Sequence, residues 1–362
     1  MTEKLPNYHK LSIVTIGLFI FFYILFIGQE ILIPLTFAWL LAILLNPIVN
    51  FLRRKKINKI IAIVMAIVLM MVVAAGILYF IGSQVSKFVE MLPQLKQKTN
   101  ELGHDGLSWL SDTFNITTPK LTKWFEEQKA KGMESASGVL GIALGSISGL
   151  FIGLFLLPVY IFLFLFYKPL LLEFISKLFS KEKHKVVTDV LTQTKGLIQN
   201  YLIGLLIEMS IVATMNSVAL MLIGIKYAIL LGVIGAILNL IPYIGGMVAI
   251  ALPMLMALMT DSPISALYVF FAYAFIQFLD NNFLVPKIVA SKVKINALVS
   301  IIVVLIGGAL WGVAGMFLSI PLIAILKVIF DRIDTLQPFG YLIGDDMPET
   351  ETGSLKKQSE KE

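Results

Sequence analysis

Asp280-Asn281-Asn282 stands at the end of an apolar run that begins at Ile264, and places one acid and two amides where hydrocarbon makes polarity costly. Glu208 lies near the centre of another apolar run, Leu197 to Ile223. Between them, the apolar stretch Ala228 to Met259 is cut by Ile241-Pro242-Tyr243-Ile244-Gly245-Gly246. A helix broken by Pro and paired Gly leaves backbone groups without intrahelical partners, and in lipid these must find protein, water or a ligand. Opened backbone beside an intramembrane carboxylate suits a transporter's binding site. Each acid also has a structural reading. Glu208 could be a hydrogen-bonded packing residue, and Asp280 a cap holding the Asn281–Pro286 turn and pairing with Lys287.

Composition fixes the medium around these residues. Hydrophobic residues are 58% of the chain and mean hydropathy is +0.88. Charged residues are 14%, against about 25% in soluble domains. Several apolar runs reach the roughly 20 residues that cross a bilayer, and they are continuous rather than alternating, which excludes a transmembrane barrel. The fold class is all-α, a polytopic helical membrane protein. The net charge of +6 gathers at helix ends, as the positive-inside rule expects and nucleic-acid binding does not. The chain has no cysteine, so disulfides, thiolate catalysis and Cys-ligated metals are excluded.

Taken in order, residues 1–82 carry three spans, near Leu11–Ile27, Ile31–Leu52 and Ile60–Ile81. No A-x-A-like site follows the first, which reads as an uncleaved span. Arg53-Arg54-Lys55-Lys56 with Lys59 is the densest basic cluster. It places that loop, and the N-terminus, in the cytoplasm, where a polybasic lipid-binding patch would also be at home. Residues 83–138 turn polar, with apolar side chains at helical spacing, and read as external amphipathic helices serving assembly. Residues 139–196 hold a long fourth span, with Gly141, Gly145, Gly149 and Gly153 as a packing ridge, then a basic amphipathic linker. Residues 197–335 form the core with the broken helices, and 336–362 a disordered cytoplasmic tail.

Charge decides between two topologies. If Ala228–Met259 and Leu298–Phe330 each crossed once, Lys287, Lys292 and Lys294 would lie outside, against the positive-inside rule. Two re-entrant hairpins satisfy every cluster. Arms of about 13 residues reach roughly 20 Å, short of the roughly 30 Å hydrocarbon core. The first would turn at Pro242–Gly246, the second within the run containing Gly307, Gly308, Gly312 and Gly315, the expected helix-break hinge. The expectation is about six full spans plus two re-entrant hairpins, with eight simple spans as the alternative. Both termini lie inside. Tips meeting near the midplane suit alternating access.

The chain has no P-loop, no H-E-x-x-H and no G-x-S-x-G, which argues against an enzyme and leaves a transporter, or a non-transporting scaffold. At Ile241-Pro242-Tyr243-Ile244-Gly245-Gly246, Asp280-Asn281-Asn282 with Pro286-Lys287, Gly307-Gly308 to Gly315-Met316, Ile320-Pro321-Leu322 and Leu45-Asn46-Pro47, the sequence resembles the autoinducer-2 exporter (AI-2E) family of bacterial membrane proteins. The resemblance implies a multi-pass, oligomeric transporter of the bacterial inner membrane. It implies either export of autoinducer-2 or sodium (or lithium)/proton antiport, with no cofactor beyond Na+ or H+. A small, polar, uncharged solute would want amides and carbonyls: Asn239, Gln277, Asn281, Asn282 and the opened backbone from Tyr243 to Gly246. Antiport would want a titratable acid, Asp280 first and Glu208 second.

Overall fold

In the computed structural model, residues 7–83, 147–241, 245–260, 263–289 and 294–345 are described, and every regular element among them is helical. Among the described residues six helices are long and apolar enough to cross a bilayer, so the chain is a polytopic helical membrane protein. The external segment 83–138, Gly141 and Gly145 of the ridge, and residues 346–362 lie outside the described residues, except for Ser83.

Helix α1 (Asn7–Ile27) exposes Ile13, Phe19, Tyr23 and Ile27, as a helix wrapped in lipid does. Helix α2 (Gln29–Arg54) contains Pro34 and Pro47. It closes at the basic cluster, where Lys56 takes the left-handed conformation at φ 66°. Lys56 N–H donates to Arg53 O at 2.9 Å and Ile57 N–H to Leu52 O at 3.3 Å, a Schellman closure with cations beside the carbonyl end of the dipole. Helix α3 (Lys59–Ser83) begins where Asn58 Oδ1 accepts from Ile60 N–H at 2.9 Å. Helix α4 (Ile147–Leu178) packs with α2 and α3 through Ala38, Ala42, Ala62, Ala66 and Ile161.

The polar segment after α4 is a helical turn, Lys181–Lys183, leading into α5 (His184–Ile223). At 40 residues α5 is about 60 Å long, twice the hydrocarbon thickness. It is the spine of the fold. Its Ile198, Tyr201, Leu202 and Leu205 share one core with Leu40 of α2 and Leu318 further on. Its Leu220 shares another with Leu231, Ala249, Met256 and Val269.

Gly224 at φ 90° and Tyr227 at φ 59° turn the chain back from α5 into α6 (Ala228–Asn239). Gly232 lies against the Ser217 backbone, where a Cβ would come within 2.6 Å of the Ser217 nitrogen. Helix α7 (Gly245–Thr260) runs antiparallel to α6, with Gly235 beside Ala249 and Gly245 on the Leu238 carbonyl. Arms of 12 and 16 residues reach about 18 and 24 Å, short of a crossing. Helix α8 (Pro263–Leu279) does not end in a turn at Asp280, as its Asn281–Pro286 sequence suggested. It continues as a π-helix, Asp280–Val289, in which the wider turn accommodates Pro286.

Helix α9 (Ala297–Phe330) is long enough to count as a span, but it breaks at Trp311 (φ −131°, ψ 19°) and Gly312 (φ 58°, ψ −141°). Its halves fold back on each other. Gly307 and Gly315 are in backbone contact, and Ser319 Oγ lies 2.8 Å from Val303 O and 2.6 Å from Gly315 O. Of the four glycines expected at the hinge, Gly312 lies at the break beside Trp311, while Gly307, Gly308 and Gly315 lie in the helical arms, where the facing arm leaves no room for a side chain. Trp311 Nε1 donates to Leu25 O of α1 at 2.9 Å, anchoring the tip. Within the segment expected as tail, Gln337–Ile343 forms a helix, α10. Asn296 joins it to α9, with Oδ1 accepting from Val299 N–H at 2.9 Å and Nδ2 donating to Leu342 O at 2.7 Å.

Gly315→Val should lower the thermal stability of purified protein by about 1–3 kcal/mol through overpacking of the two arms. Gly17→Ala, at a position with nothing within 4 Å, should leave it unchanged. For the topology, Ser291→Cys in this cysteine-free chain should react with an impermeant thiol reagent only after permeabilisation if both hairpins are re-entrant. Labelling in intact cells would mean that each hairpin segment crosses fully.

Candidate functional site

A cavity of about 890 Å³ lies between α5, α6, α7, α8, the π-helix and α9. Two helices bring it the same pattern. On α5, Tyr201, Leu205 and Glu208 fall at i, i+4 and i+7. On α8 and its π-helical extension, Tyr273, Gln277 and Asp280 do the same. Residues so spaced share one helix face, so each carboxylate arrives with a tyrosine two turns before it.

Both acids are withdrawn from the surface, Glu208 at 4% exposure and Asp280 at 1%. Asn239, the last residue of α6, stands between them. Its Nδ2 donates to Asp280 Oδ2 at 2.8 Å and lies 3.5 Å from Glu208 Oε1. One amide with two N–H groups thus joins two carboxyls of different helices. Asn239 is free to do so because α6 stops there, ahead of Pro242. Asp280 Oδ1 and the Tyr273 hydroxyl are buried and find no partner among the described residues. An acceptor and a hydroxyl without partners add to the polarity of this region, and buried polar atoms without partners are uncommon in native interiors.

Gly246 admits the neighbouring side chains. A Cβ there would lie 3.0 Å from Gln277 Cδ and 3.3 Å from Asn239 Oδ1. Gln277 Nε2 in turn donates to Asn281 Oδ1 at 3.2 Å. Of the residues expected at the site, Asp280, Glu208, Asn239, Gln277, Asn281 and Gly246 therefore line one cavity. Gly245 is buried against Leu238. Asn282 turns back to donate to Phe278 O of its own helix at 2.8 Å and does not line the cavity. Pro242 and Tyr243 lie outside the described residues. Gly307, Gly308, Gly312 and Gly315 belong to the α9 hairpin and are not among the lining residues. Gly149 and Gly153 fall within α4.

Sequence reasoning missed Tyr201, Tyr273, Ser300, Lys294 and Asp345, all of which line the cavity. The i, i+7 relation of each tyrosine to an acid was the available signal. Ser300 and Lys294 carried none, since α9 reads as uniformly apolar and Lys294 as a loop charge. Chemically, the paired carboxyls offer a place for a proton or a monovalent cation to relieve like-charge repulsion. The amides and tyrosine hydroxyls offer donors and acceptors to a polar solute.

Comparison with known proteins places this geometry in a family. The model of the AI-2E family transporters matches residues 13–335. The chain is 25% identical over 323 residues to "Putative transport protein YueF" of Bacillus subtilis, covering 83% of each chain. It is 27% identical to "Putative transport protein YrrI" of the same organism, over 83% of this chain and 86% of that one. It is 22% identical to "AI-2 transport protein TqsA" of Escherichia coli, over 88% of this chain and 90% of the relative. With the family's pattern running through nearly all of the sequence around this cavity, the chain belongs to the AI-2E transporter family.

Proposed function

We propose that this chain exports a small, polar, uncharged solute, autoinducer-2 being the candidate, across the bacterial inner membrane, and that it works as a homo-oligomer with both termini in the cytoplasm. The observation that carries this reading is the cavity of about 890 Å³. Sites for small molecules span about 300–1,000 Å³, while a bare monovalent cation fills a small fraction of that. The lining suits such a solute: Tyr201, Tyr273, Gln277 and Asn281 supply hydroxyl and amide groups, and Leu205, Ile250 and Phe270 supply apolar walls. A relative over most of its length bears the name of an AI-2 transport protein.

The Glu208–Asn239–Asp280 bridge favours a second reading, sodium (or lithium)/proton antiport at the same site. A deprotonated carboxyl there is available to sodium and a protonated one is not, so the two cations compete for one position. Asp280 is the coupling residue in that case, and it can also couple solute export to a proton gradient.

Purified protein in liposomes distinguishes these readings. Export predicts flux of autoinducer-2 with no requirement for sodium. Antiport predicts proton movement on addition of sodium or lithium, read by an internal pH dye. A scaffold would move nothing. Asp280→Asn should reduce transport by about tenfold or more, equivalent to about 1.4 kcal/mol, and should flatten its pH dependence. Glu208→Gln, which keeps an acceptor for Asn239, should have a smaller effect. An Asp280→Asn protein with unchanged transport and unchanged pH profile would remove Asp280 from the mechanism.

A further inference from the structure

A second, smaller pocket of about 200 Å³ shares no lining residue with the cavity and lies where α2, α3 and α4 come together beside the basic cluster. Three cations line it, Arg53, Lys59 and Lys168, and no carboxylate does. Other basic residues of this chain find acids, as Lys177 does with Glu173 at 2.7 Å and Lys327 with Asp331 at 2.6 Å. Arg53, Lys59 and Lys168 pair with no carboxylate among the described residues. Lys59 and Lys168 are instead held by neutral groups. Lys59 Nζ donates to Phe166 O at 2.7 Å and lies over the Phe166 ring at 4.8 Å. Lys168 Nζ donates to Asn46 Oδ1 at 3.0 Å.

Asn46 supplies the second observation. It is 5% exposed, it lines the pocket, and its Nδ2 is buried without a partner among the described residues. Because Lys168 fixes Oδ1 as the acceptor, the unmatched atom is a donor. The pocket thus collects three cations and a spare N–H, all suited to an anion's oxygens. The positive-inside rule alone does not ask for this, since exposed charges such as Arg54, Lys55 and Lys56 satisfy it.

We propose that this pocket binds the phosphate of an anionic phospholipid in the cytoplasmic leaflet, joining α2, α3 and α4 through one headgroup. A lipid is favoured over a free anion by the surroundings. The pocket includes Leu172, and Phe51, Leu170 and Leu172, next to or among its lining residues in sequence, are exposed apolar side chains on which acyl chains can lie. Basic pockets between transmembrane helices on the cytoplasmic side are suited to such headgroups.

The test is native mass spectrometry of the purified full-length protein, titrated in neutral detergent with phosphatidylglycerol, and with phosphatidylcholine for comparison. Phosphatidylglycerol should be retained preferentially. Arg53→Gln and Lys168→Gln should each weaken retention about fivefold, whereas Arg54→Gln, in the same loop but outside the pocket, should not. Asn46→Asp places an anion beside Lys168. It should keep helical content and unfolding temperature while losing the lipid, which separates a lost site from a lost fold. Equal retention of both lipids, or equal loss in Arg54→Gln and Lys168→Gln, would overturn the proposal. Inorganic phosphate bound with the same variant dependence and displacing the lipid would overturn the lipid as the occupant.

Discussion

Irregular backbone at membrane depth depends on a partner inside the protein, because hydrocarbon offers none. Pro47 shows the constraint in its simplest form. Having no N–H, it leaves the carbonyl of Ile43, four residues earlier, without its helical donor. Gln199 of α5 reaches across and donates to that carbonyl at 2.8 Å. The end of α1 is met similarly, by Trp311 Nε1 donating to Leu25 O, and Ser319 Oγ ties the two arms of α9 together by donating to Val303 O. Helices can be broken here only where a neighbour stands close enough to complete them.

Close approach in turn depends on glycine. Gly232 on Ser217, Gly204 on the Ile288 carbonyl and Gly307 on Gly315 bring backbones together where any Cβ would collide. These contacts fix α6 and the π-helix against α5, and so bring Glu208, Asn239 and Asp280 to one point. The carboxyl pair is a product of backbone packing, since the three residues come from three elements with no sequence proximity. The π-helix adds the last adjustment, carrying the chain past Pro286 while Asp280 stays buried at its start.

How much of this was legible follows from which residues announce themselves. Long apolar runs gave α1 to α3 within a few residues, and Pro with paired Gly gave the α6–α7 hairpin. By contrast, α4 runs on to Leu178 and α5 starts at His184 through polar, amphipathic sequence that reads as a linker. Asp280 and Glu208 stood out because an acid in an apolar run has no ordinary reason to be there. The α9 break was placed too broadly because Gly307, Gly308, Gly312 and Gly315 look alike in sequence, although three serve close packing and one a left-handed φ. Tyr201 and Tyr273 were hidden by their apolar bodies, which read as core until a shared face with an acid is noticed. Helix α10 was hidden by its shortness. Asn296, which bonds backbone groups of two helices, and the Phe330–Phe339 ring contact tie it down.

The polar residues of α5 show why intramembrane polarity is not by itself evidence of a transport site. Gln199, Glu208 and Asn216 are all costly in an apolar helix, yet they meet different needs. Gln199 repairs the α2 helix at Pro47 and has no atom in the cavity. Asn216 lies against Gly235, whose missing Cβ leaves room for Asn216 Nδ2 and the Tyr273 hydroxyl, each about 3.3 Å from where that atom would stand. It therefore sits behind the cavity wall and does not line it. Glu208 alone faces the cavity and shares its donor with a second acid. What singles it out is that a single amide, through its two N–H groups, joins it to a second buried acid carried by another helix.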